Sequence, residues 1–159
     1  MPGSSWRSEA ALLLALLAGP AAAFDFTLPT LEGDAFVRLQ DQPGPVLVNF
    51  WGAECPPCIG ELPLLLDFAR RHPEWTLLLV ATDSPALAKQ AAARWGLKSE
   101  ANMRLVRAPN AQALLRQAGG KGLPHSLAIR NGQICARHAG AMAAEQLIPW
   151  VAPCAAAPT

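Results

Sequence analysis

Residues 46–51, Val-Leu-Val-Asn-Phe-Trp, are apolar throughout except for Asn49, and four residues later Cys55-Pro56-Pro57-Cys58 opens a run with helical periodicity. An unbroken apolar run of this length reads as a strand buried on both faces, so it needs packed layers above and below it. The helix that follows starts on two prolines, which suits a first turn whose N–H groups have no helical partner. Two intervening residues put both sulfurs within one turn. Unpaired N–H groups and the macrodipole at a helix N-terminus favour negative charge, and so favour a thiolate at Cys55. A thiolate is the species that attacks disulfides, and Cys58, one turn inward, is placed to resolve the mixed disulfide that forms.

The same spacing could be half of a structural zinc site, which requires four ligands. No second pair exists. Cys135 and Cys154 stand alone, and His72, His125 and His138 are scattered. The formal net charge is +1 and the thirteen basic residues are dispersed, which gives no surface for nucleic acid.

Residues 1–23 have the layout of a secretory signal: Arg7 in a short polar start, an apolar run, Gly19-Pro20, then three alanines. The apolar run is about nine residues against the roughly 20 a spanning helix needs, which favours cleavage after Ala23 over retention as an uncleaved membrane anchor. Export to the periplasm places the dithiol in an oxidising compartment, where a reductant must be kept reduced by a partner.

Residues 24–159 read as one domain. A hairpin is expected from residues 25–31 and 35–40, then the central strand, a helix over 56–72 and a strand over 75–81. Ser84 as N-cap and Pro85 at the first helical position begin a second helix, which Gly96 closes. A short strand at 103–106 and a helix after Pro109-Asn110 follow. Asn131-Gly132 joins residues 126–130 and 133–138 as a β-hairpin. The last helix is expected over 143–151, compromised by Pro149. This order of parallel crossovers and an antiparallel edge is a three-layer α/β sandwich with a mixed central sheet.

The stretch from Phe50 to Cys58, with Pro63 beyond it, resembles the thioredoxin superfamily. Asn49, Glu61 and the N-terminal hairpin resemble its exported TlpA/ResA-like branch, which includes the cytochrome c maturation reductases. The resemblance implies an exported thiol–disulfide oxidoreductase, a reductase of protein disulfides with a role in cytochrome c maturation or metal-site assembly. Cys55 and Cys58 would be catalytic, with Pro124 and Glu61 in support, and Trp51, Pro56, Leu123 and His125 would contact substrate. It implies a cis Leu123-Pro124 bond facing the cysteines. Its partners would be a protein substrate carrying a disulfide and a membrane-bound electron donor; no cofactor or metal is called for, and a monomer is expected.

Individual residues keep alternative readings. His125 could stabilise a thiolate as imidazolium, or be a satisfied core residue. Glu61 could shape the titration of the dithiol, or complement the helix dipole from a first turn. Trp51 could shield the dithiol or simply fill the core. Asn49 cannot relay a proton by ionising, which leaves that task to Glu61 or water. Cys135 and Cys154 could pair, since Cys154 lies in helical register with Leu147 and Val151, or be small apolar core residues. Rival functions are a copper(I) metallochaperone using Cys55, Cys58 and His125, and a periplasmic oxidase or isomerase. A peroxidase of the Thr-x-x-Cys type is disfavoured because Gly52 stands where its Thr would be.

Overall fold

The computed structural model describes residues 23–155, so the expected leader lies almost wholly outside it. Strands β1 (Thr27–Pro29) and β2 (Phe36–Arg38) form the N-terminal hairpin, and β3 (Val46–Trp51) enters the core. Helix α1 (Pro56–Arg71), β4 (Thr76–Ala81), α2 (Pro85–Arg94), β5 (Met103–Arg107) and α3 (Ala111–Gln117) follow. The hairpin β6 (His125–Arg130) and β7 (Gln133–Ala139) precedes α4 (Ala144–Ala155). The main sheet has the order β5-β4-β3-β6-β7, with β3, β4 and β5 parallel and β6 and β7 antiparallel.

Every residue of β3 and β4 is buried, as the absence of alternation in their sequences requires. Their side chains still divide by period two. Leu47, Trp51, Leu77, Leu79 and Ala81 pack with α1, α2 and α4 on one face. Val46, Val48, Phe50, Leu78 and Val80 pack with α3 and the N-terminal hairpin on the other. Leu47, Leu77, Leu78 and Leu79 have no exposed surface, and burying each contributes on the order of 1.5–3 kcal/mol. At the turn between β6 and β7, Asn131 and Gly132 both take positive φ, 52° and 73°, the backbone a tight hairpin of this twist demands.

Two element boundaries differ from expectation. The second strand of the N-terminal hairpin stops at Arg38 because Leu39–Asp41 turns into a 3₁₀ helix that buries Leu39. The last helix does not end near Pro149 but runs to Ala155 through Pro149 and Pro153. Both prolines are exposed, so the carbonyls they leave without helical donors face water rather than the core. Leu147, Val151 and Cys154 hold the other side of α4 against the sheet.

The Cys135–Cys154 disulfide is formed, with Cα atoms 5.5 Å apart, and ties α4 to the edge strand β7. Arg130 reinforces the same end by donating to the carbonyls of Cys154 and Ala155.

Candidate active site

Cys55 is the N-cap of α1, and Pro56 and Pro57 supply the first helical positions. Cys55 and Cys58 are joined as a disulfide across 5.2 Å of Cα separation, and the Cys58 N–H points at Cys55 Sγ, 3.3 Å away. Cys55 is half-buried while Cys58 is 1% exposed. Only the outer sulfur is therefore open to attack by, or on, another molecule. When the pair is reduced, the Cys58 N–H and the free end of α1 stabilise charge on Cys55 Sγ.

The loop leading to Cys55 is fixed from β4. Asp83 Oδ2 accepts from the Ala53 N–H at 2.6 Å, and the Thr82 hydroxyl donates to the Trp51 carbonyl at 3.1 Å. Gly52 is crossed by the Leu123 side chain, whose Cδ1 would lie 3.2 Å from a Cβ at that position. Leu123-Pro124 is cis, as the resemblance implies, and the Leu123 side chain lies against Gly52 on the approach to Cys55. Among the described residues, the Leu123 N–H and carbonyl join no backbone hydrogen bond.

Beneath the cysteines lies a buried polar group. Glu61, on α1 one turn beyond Cys58, is 3% exposed. Its Oε1 accepts from the Met142 N–H at 3.1 Å, and its Oε2 from the Asn49 amide at 3.3 Å. That same amide donates to Ser126 Oγ at 2.9 Å. Burial raises the Glu61 carboxyl above the ordinary carboxylate range, opposed by the hydrogen bonds from Met142 and Asn49. An acid held this way can take up or release a proton nearer neutrality than an exposed one.

Comparison with protein families matches residues 20–131 to the AhpC/TSA family. The chain belongs to the AhpC/TSA family. A thiol:disulfide interchange protein DsbE homolog of Paracoccus denitrificans is 42% identical over 62 residues, 36% of this chain and 34% of that protein. The match thus spans about a third of that relative's length. Among solved structures, StoA from Bacillus subtilis superposes with TM-score 0.65 at 25% identity, covering 82% of this chain and 98% of StoA. The thioredoxin domain of a thiol-disulfide oxidoreductase from Bacteroides vulgatus gives 0.62 at 28% identity, covering 76% and 88%. This AhpC/TSA-family chain therefore has the thioredoxin-like fold, with its hairpin before the core.

Within that frame the expected site residues separate. Cys55, Pro56 and Cys58 stand at the N-terminus of α1, Leu123 lies over Gly52 in the loop that leads there with cis Pro124 next to it, and Glu61 is buried one turn farther along the helix. Trp51 is wholly buried in the core, so it offers no surface to a docked substrate. His125 also departs from its expected place. It pairs with Phe50 across β3 and β6, and its ring packs on the face of the sheet opposite α1, with Nε2 3.3 Å from the Ala118 carbonyl. Burial lowers its pKa, so of its two readings the imidazolium that would assist a thiolate is disfavoured and the core residue is favoured. The set Cys55, Cys58 and His125 is not brought together, and no cluster of three metal-ligating side chains occurs among the described residues. Glu61 lies in the second turn of α1, outside the first turn where dipole complementation acts.

Asp83, Ser126 and the Met142 backbone were not singled out in the sequence. Asp83 reads there as a residue next to the Ser84 cap, and nothing local marks it as a partner for a loop 30 residues earlier. Ser126 could have been found through Asn49, since a polar residue in a buried strand requires a partner on a neighbouring strand.

Proposed function

We propose that this protein is an exported thiol–disulfide oxidoreductase that reduces protein disulfides in the periplasm. The observation that carries the reading is the asymmetric pair at the start of α1: an accessible Cys55 capping the helix and a Cys58 sealed one turn inside. The family match and the names of its relatives support it. In the reduced protein, the Cys55 thiolate attacks one sulfur of a client disulfide. That forms a mixed disulfide and expels the other client sulfur as a thiolate. Cys58 loses its proton and attacks Cys55 Sγ, which releases the second client thiolate and leaves Cys55–Cys58 oxidised. Two electrons have passed to the client, and a membrane-bound dithiol donor returns them.

Glu61 is the nearest buried acid along α1 to Cys58 and takes its proton, directly or through water, in this scheme. The unpaired backbone of Leu123, next to cis Pro124, supports an extended client segment beside Cys55. Residues 1–23 direct export, and delivery of electrons to a cytochrome c maturation client is the finer form of the proposal.

The test is the redox equilibrium of the mature chain against glutathione buffers, with Cys135 and Cys154 replaced by serine so that only one pair titrates. A midpoint near or below about −270 mV marks a reductant. A value near about −120 mV marks a disulfide donor and overturns the proposal.

A further inference from the structure

A groove of about 780 Å³ runs from Cys55 between α1 and α2. Its walls are Ile59 and Pro63 of α1 and Leu87 and Ala91 of α2. Both helices leave the same end of the parallel strands β3 and β4, so they run in the same direction and the groove has two distinct ends. Glu54 and Cys55 stand at one, and Arg94 and Trp95 at the other. Trp95 is 46% exposed, one of few large apolar side chains left in water, and the Arg94 guanidinium lies 5.5 Å from its ring centroid. Arg94 joins none of the ion pairs among the described residues. An exposed aromatic ring beside a cation that no carboxylate neutralises, at the far end of a groove that starts at a nucleophilic sulfur, is what a bound segment would cover.

We infer that this groove receives the client segment that carries the disulfide, and that it selects an apolar side chain beside the attacked cysteine with a carboxylate farther along, at Arg94. This deepens the proposed function and rests on it. From Leu87 to Arg94 the helix rises about 10 Å at about 1.5 Å per residue, which an extended chain covers in about three residues. The carboxylate therefore belongs about three residues from the client cysteine. Next to that cysteine a carboxylate is disfavoured, because Glu54 stands there. The groove thus distinguishes clients by the direction of charge along the segment as well as by hydrophobicity.

The experiment uses short peptides whose single cysteine is disulfide-bonded to 2-mercaptoethanol. One set carries Leu beside the cysteine and Glu three residues away, a second exchanges Glu for Lys, and a third moves Glu next to the cysteine. Each rate of reduction is divided by the same enzyme's rate on hydroxyethyl disulfide, a small neutral substrate without flanking residues. The native chain reduces the first set faster than the second and third by about two- to fivefold, the range for an exposed charge pair. Arg94→Glu reverses the order of the first two sets, and Trp95→Ala lowers the ratio for every Leu-bearing peptide. Equal ratios for all peptides, in the native chain and in Arg94→Glu, overturn the groove while leaving the dithiol chemistry intact. If hydroxyethyl disulfide itself is not reduced, the proposed function fails, and peptide preference is then read from the mixed disulfide that Cys58→Ser traps at Cys55. The same order among trapped peptides upholds the groove; no order overturns it.

Discussion

Asn49 of β3 donates its side-chain amide to the Glu61 carboxylate of α1 across 3.3 Å, in a place where neither residue meets solvent. The contact joins the central strand to the helix that presents Cys55 and Cys58. With Met142 supplying a second hydrogen bond, both carboxylate oxygens are engaged, yet burial still raises the Glu61 pKa. A buried acid with a raised pKa favours the folded state most when protonated. This contribution to stability is present at low pH and declines as pH rises from the ordinary value of 4.5 through the folded-state value. Glu61→Gln removes that decline and leaves stability at pH 7 equal or higher, whereas Glu61→Ala strands the Met142 N–H and costs about 1–3 kcal/mol. Urea unfolding curves of the three proteins at several pH values check this; an unchanged pH slope in Glu61→Gln contradicts it.

His125 provides the opposite sign. Its folded pKa is depressed, chiefly by burial, so it contributes stability above the ordinary value of 6.5 that is lost as pH falls below it toward the folded-state value. In an NMR titration the midpoint of its ring-proton shifts should fall below 6.5. A midpoint at or above that value would show that the ring does not lie in its apolar setting.

That setting is tight at Gly120. A Cβ there would come within 2.5 Å of Leu115 Cδ1 and 2.9 Å of the His125 ring. Gly120→Ala forces one of the two to move and costs about 1–3 kcal/mol, the range for overpacking. Thermal denaturation measures it, and a neutral result would mean that the ring has room to rotate away.

The Cys135–Cys154 disulfide closes a segment with a sequence separation of 19. Chain entropy for a loop of that size predicts a stabilisation of about 3 kcal/mol. The double variant Cys135→Ala, Cys154→Ala should lose about that much in urea unfolding while its Cys55–Cys58 pair still cycles. Loss of the redox activity along with stability would mean that α4 and the Met142 segment depend on this bridge to hold Glu61.

Asp83 separates geometry from charge. Asp83→Asn keeps an acceptor for the Ala53 N–H but removes a negative charge near the loop that leads to Cys55. Alkylation of Cys55 in the reduced protein should then be slightly faster, because less negative charge opposes its thiolate. Asp83→Ala loses the acceptor as well and should slow disulfide reduction. Iodoacetamide alkylation rates read the first effect and single-turnover rates of disulfide reduction the second, and equal reduction rates for Asn and Ala would assign Asp83 a charge effect alone.

By itself the sequence determined what depends on near neighbours along the chain. The apolar run 46–51 specified a strand buried on both faces, and Ser84-Pro85 specified a helix start, with Ser84 Oγ accepting from the Leu87 N–H as caps do. Asn131-Gly132 specified a hairpin through its positive φ, and Cys55-Pro56-Pro57-Cys58 placed two sulfurs on one turn. What the tertiary structure alone decided depends on residues far apart in the chain. It set which face of the sheet His125 occupies, because the strand pairing aligns it with Phe50 and not with the cysteines. It carried α4 past two prolines, because packing of Leu147, Val151 and Cys154 and the bridge to Cys135 outweigh two missing N–H donors on the exposed side. It also closed α1 with Asn102, whose amide donates to the Ala69 and Trp75 carbonyls from a loop 33 and 27 residues away. Local preference reaches about one turn along the chain, and a hydrogen bond or an apolar contact reaches wherever folding brings its partner.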